Sequence, residues 1–170
     1  QPQAVINAAA YTAVDRAETE VEQAFAINAN GAGNLARAAE SFSIPLLHVS
    51  TDYVFSGDKP SGEVWTEKDN CEPRSVYGKS KLEGEQQVLG ACSNALVLRT
   101  SWVFGRYGNN FPKTMLRLAR ERDELRVVGD QFGYLPSSGI AEIRKVRNKI
   151  EAAIGDHQVL QTVEIAAERE

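Results

Sequence analysis

The sequence predicts an α/β domain built on a parallel β-sheet. Short apolar runs alternate with longer amphipathic stretches, the pattern of βα units. One such run, Pro45-Leu46-Leu47-His48-Val49-Ser50, is nearly continuous in apolar residues, as a parallel strand covered on both faces is. Polar residues able to do chemistry recur directly after these runs, where open parallel sheets bind their ligands.

Composition narrows the class. The chain has 170 residues, with 19 Lys plus Arg against 23 Asp plus Glu, a formal charge of −4. Hydrophobic residues are 42% and charged residues 25%, the balance of an ordinary globular domain and not of a disordered chain. Mild acidity argues against a protein that binds nucleic acid by neutralising phosphates. No apolar run approaches the ~20 residues that span a bilayer. Cys71 and Cys92 form no CxxC pair and have no neighbouring His, so they are expected as free thiols of a cytoplasmic chain. The sequence opens inside a strand, which reads as a truncation point.

The elements follow in order. Ala4 to Asn7 is the first strand. Residues 21–41 form a helix, in which Gly31 and Gly33 lower helix propensity and point to close packing against a neighbour. Residues 45–50 are the second strand. The polar stretch 56–74 is long for a loop, and loops of that length usually carry function. A helix over 75–89, a strand over 95–99, a helix over 111–122 and a short strand over 125–128 complete the series. Beyond Gly133, Ile140, Ile143, Val146, Ile150 and Ile154 repeat at helical spacing, with Ser137 or Ser138 as N-cap. Residues 134–170 are therefore expected as a helical tail behind a domain over 1–133, a tail that the resemblance drawn below marks as divergent and a domain that it marks as partial.

Three segments carry candidate chemistry. In Tyr77-Gly78-Lys79-Ser80-Lys81, Tyr77 and Lys81 stand four apart on one helix face. An ammonium beside a phenol lowers its pKa and makes it a usable general acid. The structural alternative is a surface Tyr lying on a Lys stem. Ser50-Thr51-Asp52 follows a strand, so Thr51 is placed to hold a carbonyl oxygen; a turn stabilised by short polar side chains is the other reading. In Asn7-Ala8-Ala9-Ala10-Tyr11-Thr12 the small residues let a flat cofactor approach the backbone, or simply pack a tight turn. Asn28 either bonds a neighbouring turn or orders a water behind Lys81. Trp102 follows the third strand, where an indole stacks on a sugar or covers the core. Asn109-Asn110-Phe111 reads as a helix cap, the charges over 117–126 as a solvated face, and His48 and His157 as structural.

Together these segments resemble the extended short-chain dehydrogenase/reductase family. The resemblance lies in Asn7-Ala8-Ala9-Ala10-Tyr11-Thr12-Ala13-Val14-Asp15, Ser50-Thr51-Asp52-Tyr53-Val54-Phe55, Val76-Tyr77-Gly78-Lys79-Ser80-Lys81-Leu82 and Arg99-Thr100-Ser101-Trp102-Val103, and covers residues 4–133. It implies a Rossmann-like, doubly wound parallel sheet lacking its first βαβ unit. It also implies NADPH- or NADH-dependent reduction of the 4-keto group of dTDP-4-dehydro-L-rhamnose, a sugar-nucleotide substrate. By the same resemblance Thr51, Tyr77 and Lys81 are catalytic, and Ala10, Tyr11, Thr12, Tyr77 and Lys81 meet the cofactor. Thr51, Asp52 and Trp102 meet the substrate, and no metal is expected. The family's glycine-rich pyrophosphate turn has no counterpart in the 170 residues. The alternatives are a non-catalytic regulatory subunit on the same scaffold, and another keto-sugar-nucleotide reductase or epimerase.

Overall fold

A computed structural model describes residues 2–60, 63–101, 111–122 and 124. The chain divides into two compact units, Gln1–Ser101 and Trp102–Glu170. The boundary expected at Gly133 falls inside the second unit and outside the described residues.

The first unit runs β1 (Val5–Asn7), α1 (Val14–Ala17), α2 (Val21–Phe25), a π-helical segment (Ala26–Gly31), α3 (Ala32–Ser41), β2 (Leu46–Thr51), a 3-10 turn (Asp52–Val54), α4 (Val76–Ala91) and β3 (Ala95–Thr100). The strands form a parallel sheet in the order β1-β2-β3. Two successive right-handed crossovers in one direction put both helical connections on one face of the sheet, where α3 and α4 pack together. The second unit contributes α5 (Phe111–Glu121). Its exposed face carries the expected charges, with Arg117 paired to Glu121 one turn on at 3.1 Å.

Register explains the core. Val5, Leu46 and Ala95 lie side by side, as do Asn7, His48 and Val97, and then Ser50 and Arg99. Because side chains alternate along a strand, all of these face the helices. At the N-terminal end that face is apolar: Leu46 packs with Ala32, Ala36, Ala39, Val88 and Cys92, joined by Val5, Ala95 and Val97. Toward the strands' C-terminal ends it turns polar, at Asn7, His48, Ser50 and Arg99. The helix-covered face is therefore divided into an apolar core and a polar row.

Several expectations shift for physical reasons. β2 begins at Leu46 because Pro45 has no N–H for the ladder, although its carbonyl accepts from Val5 N at 2.9 Å. The helix over 21–41 is continuous but passes through a π turn, which hydrophobic spacing does not report. Of its two glycines, Gly33 is the tight one. A Cβ there would sit 2.3 Å from Gln87 Oε1, whereas at Gly31 the nearest atom is 3.4 Å away. Cys71 and Cys92 are free thiols. The strand expected over 125–128 and the helix through Ile140 to Ile154 lie outside the described residues. Among the described residues no helix is long and apolar enough to cross a membrane.

Candidate active site

The first turn of α4 sets the geometry. Ser75 accepts from Gly78 N at 3.0 Å as N-cap, and Glu18 Oε1 accepts from Val76 N at 2.8 Å. Two otherwise orphan N–H groups are thus satisfied. Gly78 follows directly: a Cβ there would lie 2.2 Å from the Tyr53 carbonyl oxygen, so only glycine lets α4 approach the turn after β2 this closely. Tyr77 is consequently pressed toward the end of β2. Its ring meets that of Tyr53 edge-on, with centroids 5.5 Å apart.

Thr51 ends β2 and is 7% exposed; Tyr77 is 8% exposed and Lys81 only 2%. Burial pushes the Tyr77 phenol above its ordinary value. Hydrogen bonding with the Thr51 side chain pulls it back, and the charges of Asp52 and Tyr53 push it up again. Lys81 was expected to lower this pKa. The structure instead gives that part to Thr51, because Lys81 Nζ donates to the Val49 carbonyl at 2.7 Å and burial dominates the phenol. Lys81 is itself held below the usual lysine range by burial, opposed by Glu85. Thr51 Oγ1 donates to Asp52 Oδ1 at 3.0 Å and accepts from Tyr53 N at 3.2 Å.

The alanine-rich loop after β1 is tied to the same place. Asn7 Oδ1 accepts from Ala9 N at 3.1 Å, starting the loop. Asn28, in the π turn, accepts from Tyr11 N at 2.8 Å and donates to the Tyr11 carbonyl at 3.1 Å and to Ser80 Oγ at 2.9 Å. Both of its amide hydrogens are therefore engaged, and the side chain is a bridge from the loop to α4. Tyr11 packs against the cluster of Ala17, Ala24 and Tyr77, and its hydroxyl donates to Glu20. Ala10 and Tyr11 are half-buried and Thr12 is exposed. Trp102, Asn109 and Asn110 lie outside the described residues.

The described parts of the polar loop, residues 56–60 and 63–74, fold back on the same strand end. Trp65 stacks on Phe55 at 4.7 Å, Lys59 Nζ lies 4.8 Å over the Trp65 ring, and the Arg99 guanidinium covers Phe55 at 5.0 Å. Lys59 also bonds Asp69 at 2.9 Å, which together with Thr66 holds that carboxyl down to about 2.

Two polar groups escaped sequence reading. Asn7 Nδ2 donates to His48 Nδ1 at 2.9 Å, leaving the ring proton on Nε2, which has no partner among the described residues. Glu85, Ser50 and Arg99 form a second group on the helix side of the sheet. Lys81-x-x-x-Glu85 spacing was the available signal, but Ser50 and Arg99 become neighbours only through strand register.

A model of the RmlD substrate binding domain matches residues 1–160, nearly the whole sequence. The chain belongs to the RmlD substrate-binding-domain family. The match continues past Gly133, where the motif resemblance ended. The RmlD-family relatives include the dTDP-4-dehydrorhamnose reductase of Aggregatibacter actinomycetemcomitans, 55% identical over 82% of this chain and 47% of that protein. That of Sinorhizobium fredii is 54% identical over 78% of this chain and 44% of its own length. The crystal structure of a dTDP-4-dehydrorhamnose reductase from Clostridium acetobutylicum superposes with a TM-score of 0.79 at 45% identity, covering 89% of this chain and 53% of that one. The enzyme from Bacillus anthracis in complex with NADP gives 0.72 at 49% identity, over 76% of this chain and 46% of that one. The chain spans about half the length of the relatives it matches. These solved reductases agree with the α/β parallel sheet described above.

Proposed function

We propose that this chain carries the carbonyl-reducing centre of a dTDP-4-dehydrorhamnose reductase, which converts the 4-keto group of dTDP-4-dehydro-L-rhamnose to the hydroxyl of dTDP-L-rhamnose. The observation that carries the proposal is the packing of Tyr77 edge-on against Tyr53, 5.5 Å between centroids, in the turn that Thr51 caps at the C-terminal end of β2, with Lys81 one helical turn beyond Tyr77. Relatives named for this activity support it.

The residues present fit the nicotinamide–ribose end of a dinucleotide. Lys81 Nζ has three N–H groups, of which the described residues engage one, at the Val49 carbonyl. The Tyr77 hydroxyl and the bare backbone of Ala8 to Ala10 complete that lining. Bound NADPH or NADH supplies the hydride. Turning only its hydroxyl hydrogen, Thr51 donates to the keto oxygen in place of Asp52. Tyr77 then protonates that oxygen as it becomes an alkoxide. A phenol held above its ordinary pKa stays protonated at neutral pH, which a proton donor requires, and the alkoxide is far more basic than a phenolate. Lys81, with two N–H groups left beyond the Val49 carbonyl, is assigned to hold the nicotinamide ribose. Asp52 and Trp102 are assigned to the sugar nucleotide.

The test is consumption of NADPH or NADH by the purified protein, followed by nicotinamide absorbance. Oxidation that begins only when dTDP-4-dehydro-L-rhamnose is added supports the reading. Dinucleotide binding with no oxidation on adding the keto sugar would overturn it.

A further inference from the structure

Lys81 and Glu85 stand one turn apart on α4 and reach from the same helix face to consecutive residues of β2. Lys81 Nζ donates to the Val49 carbonyl at 2.7 Å, and Glu85 Oε1 accepts from Ser50 Oγ at 2.5 Å. Glu85 is 3% exposed. From β3, Arg99 grips it in bidentate fashion, with Nε 3.0 Å from Oε1 and Nη2 2.6 Å from Oε2. A carboxylate this deeply buried is sustained only by charge and hydrogen-bond partners, and the helix-facing row of the sheet provides them.

We propose that Glu85 is a positioning residue for the Thr51–Tyr77–Lys81 centre: it is the buried counter-charge of Lys81 and the tie that fixes the end of β2 against α4. The inference rests on the reductase reading for its catalytic meaning. Taking an ammonium out of water disfavours its charged form, and Glu85 opposes that effect at Lys81. The surroundings leave Glu85 as the anion that does so. From β2, His48 is neutral and drawn to about 4 by burial, then by Lys81, with Glu85 opposing. From β3, Arg99 is a cation. In the loop, burial pushes the Cys71 thiol up. On α4, Tyr77 is a protonated phenol. From the π turn, Asn28 is uncharged and bonded to Ser80. Ser50 adds the mechanical half, because it immediately precedes Thr51.

The experiment follows the Lys81 ammonium itself, by carbon-13 NMR of lysine-labelled protein, with Lys81→Met assigning the signal. Glu85→Gln is expected to move the Lys81 titration to lower pH, and Glu85→Asp, which keeps the charge, to restore most of the shift. If Glu85→Gln leaves Arg99 unpaired and does not fold, Glu85→Gln/Arg99→Met removes the buried pair as a unit, and its Lys81 midpoint must lie below that of Arg99→Met alone, which differs from it only by the Glu85 charge. An unchanged or raised midpoint in whichever variant folds would overturn the proposal. The readout needs neither cofactor nor substrate. A lowered midpoint beside absent keto-sugar reduction would therefore remove the reductase reading alone, and an unchanged midpoint beside intact reduction would remove this inference alone.

Discussion

Acidification from neutral pH to about 4 is predicted to weaken the first unit through one imidazole. His48 is 0% exposed on the central strand, its Nδ1 accepts from Asn7, and burial, aided by Lys81, draws its pKa from 6.5 to about 4. The folded state therefore holds a neutral ring where the unfolded chain binds a proton. Stability from this group is complete above about 6.5 and is lost as pH falls toward about 4. At about 1.36 kcal/mol per unit, that gap amounts to about 3 kcal/mol. Urea unfolding of wild type and His48→Asn across this range isolates it, since the asparagine oxygen takes the place of Nδ1 beside Asn7 and the amide does not titrate. Carboxylates held down by their partners, such as Asp69 and Glu40, lose their contributions in both proteins and cancel in the difference. The stability gap between wild type and variant should shrink or reverse by about 3 kcal/mol from neutral pH to about 4. A gap independent of pH, or a His48 NMR titration near 6.5, would refute the reasoning.

Other outcomes follow from contacts at the site. Gly84→Ala should destabilise by about 1–2 kcal/mol in urea unfolding: its Cβ would lie 2.1 Å from the Asn28 carbonyl oxygen, and overpacking outweighs the ~1 kcal/mol gained in helix propensity. A stabilised variant would contradict the close approach of α4 to the π turn. Thr51→Val removes the group that lowers the Tyr77 pKa, so the phenol, followed by carbon-13 NMR of labelled tyrosine, should titrate at higher pH. Movement to lower pH would show that Thr51 does not face the phenol.

The parts of this fold that sequence reveals are those written in local chemistry. Ser75 announces the start of α4, the apolar run announces β2, and four-residue spacing places Tyr77 and Lys81 on one face. What sequence spacing does not reveal depends on pairing across the sheet. Ser50 and Arg99 meet only because β2 and β3 align in that register, and Glu85 reads as a surface helix residue until both are seen beside it. The Tyr77 pKa illustrates the same limit. Spacing shows that an ammonium is near, but the direction of the shift is decided by burial, which spacing does not contain. Asn28 reads as a weak helix former; its place in a π turn, bridging Tyr11 and Ser80, depends on two elements distant in the chain.

Tyr77 is the proposed proton donor beside Thr51. Its most direct test is the turnover of dTDP-4-dehydro-L-rhamnose with NADPH by Tyr77→Phe, measured beside wild type with both folds checked by circular dichroism. The phenylalanine keeps the ring packing against Tyr53 and removes only the hydroxyl. Loss of kcat by about 10²–10⁴-fold with an unchanged fold is the predicted result. Wild-type kcat in the variant would contradict it.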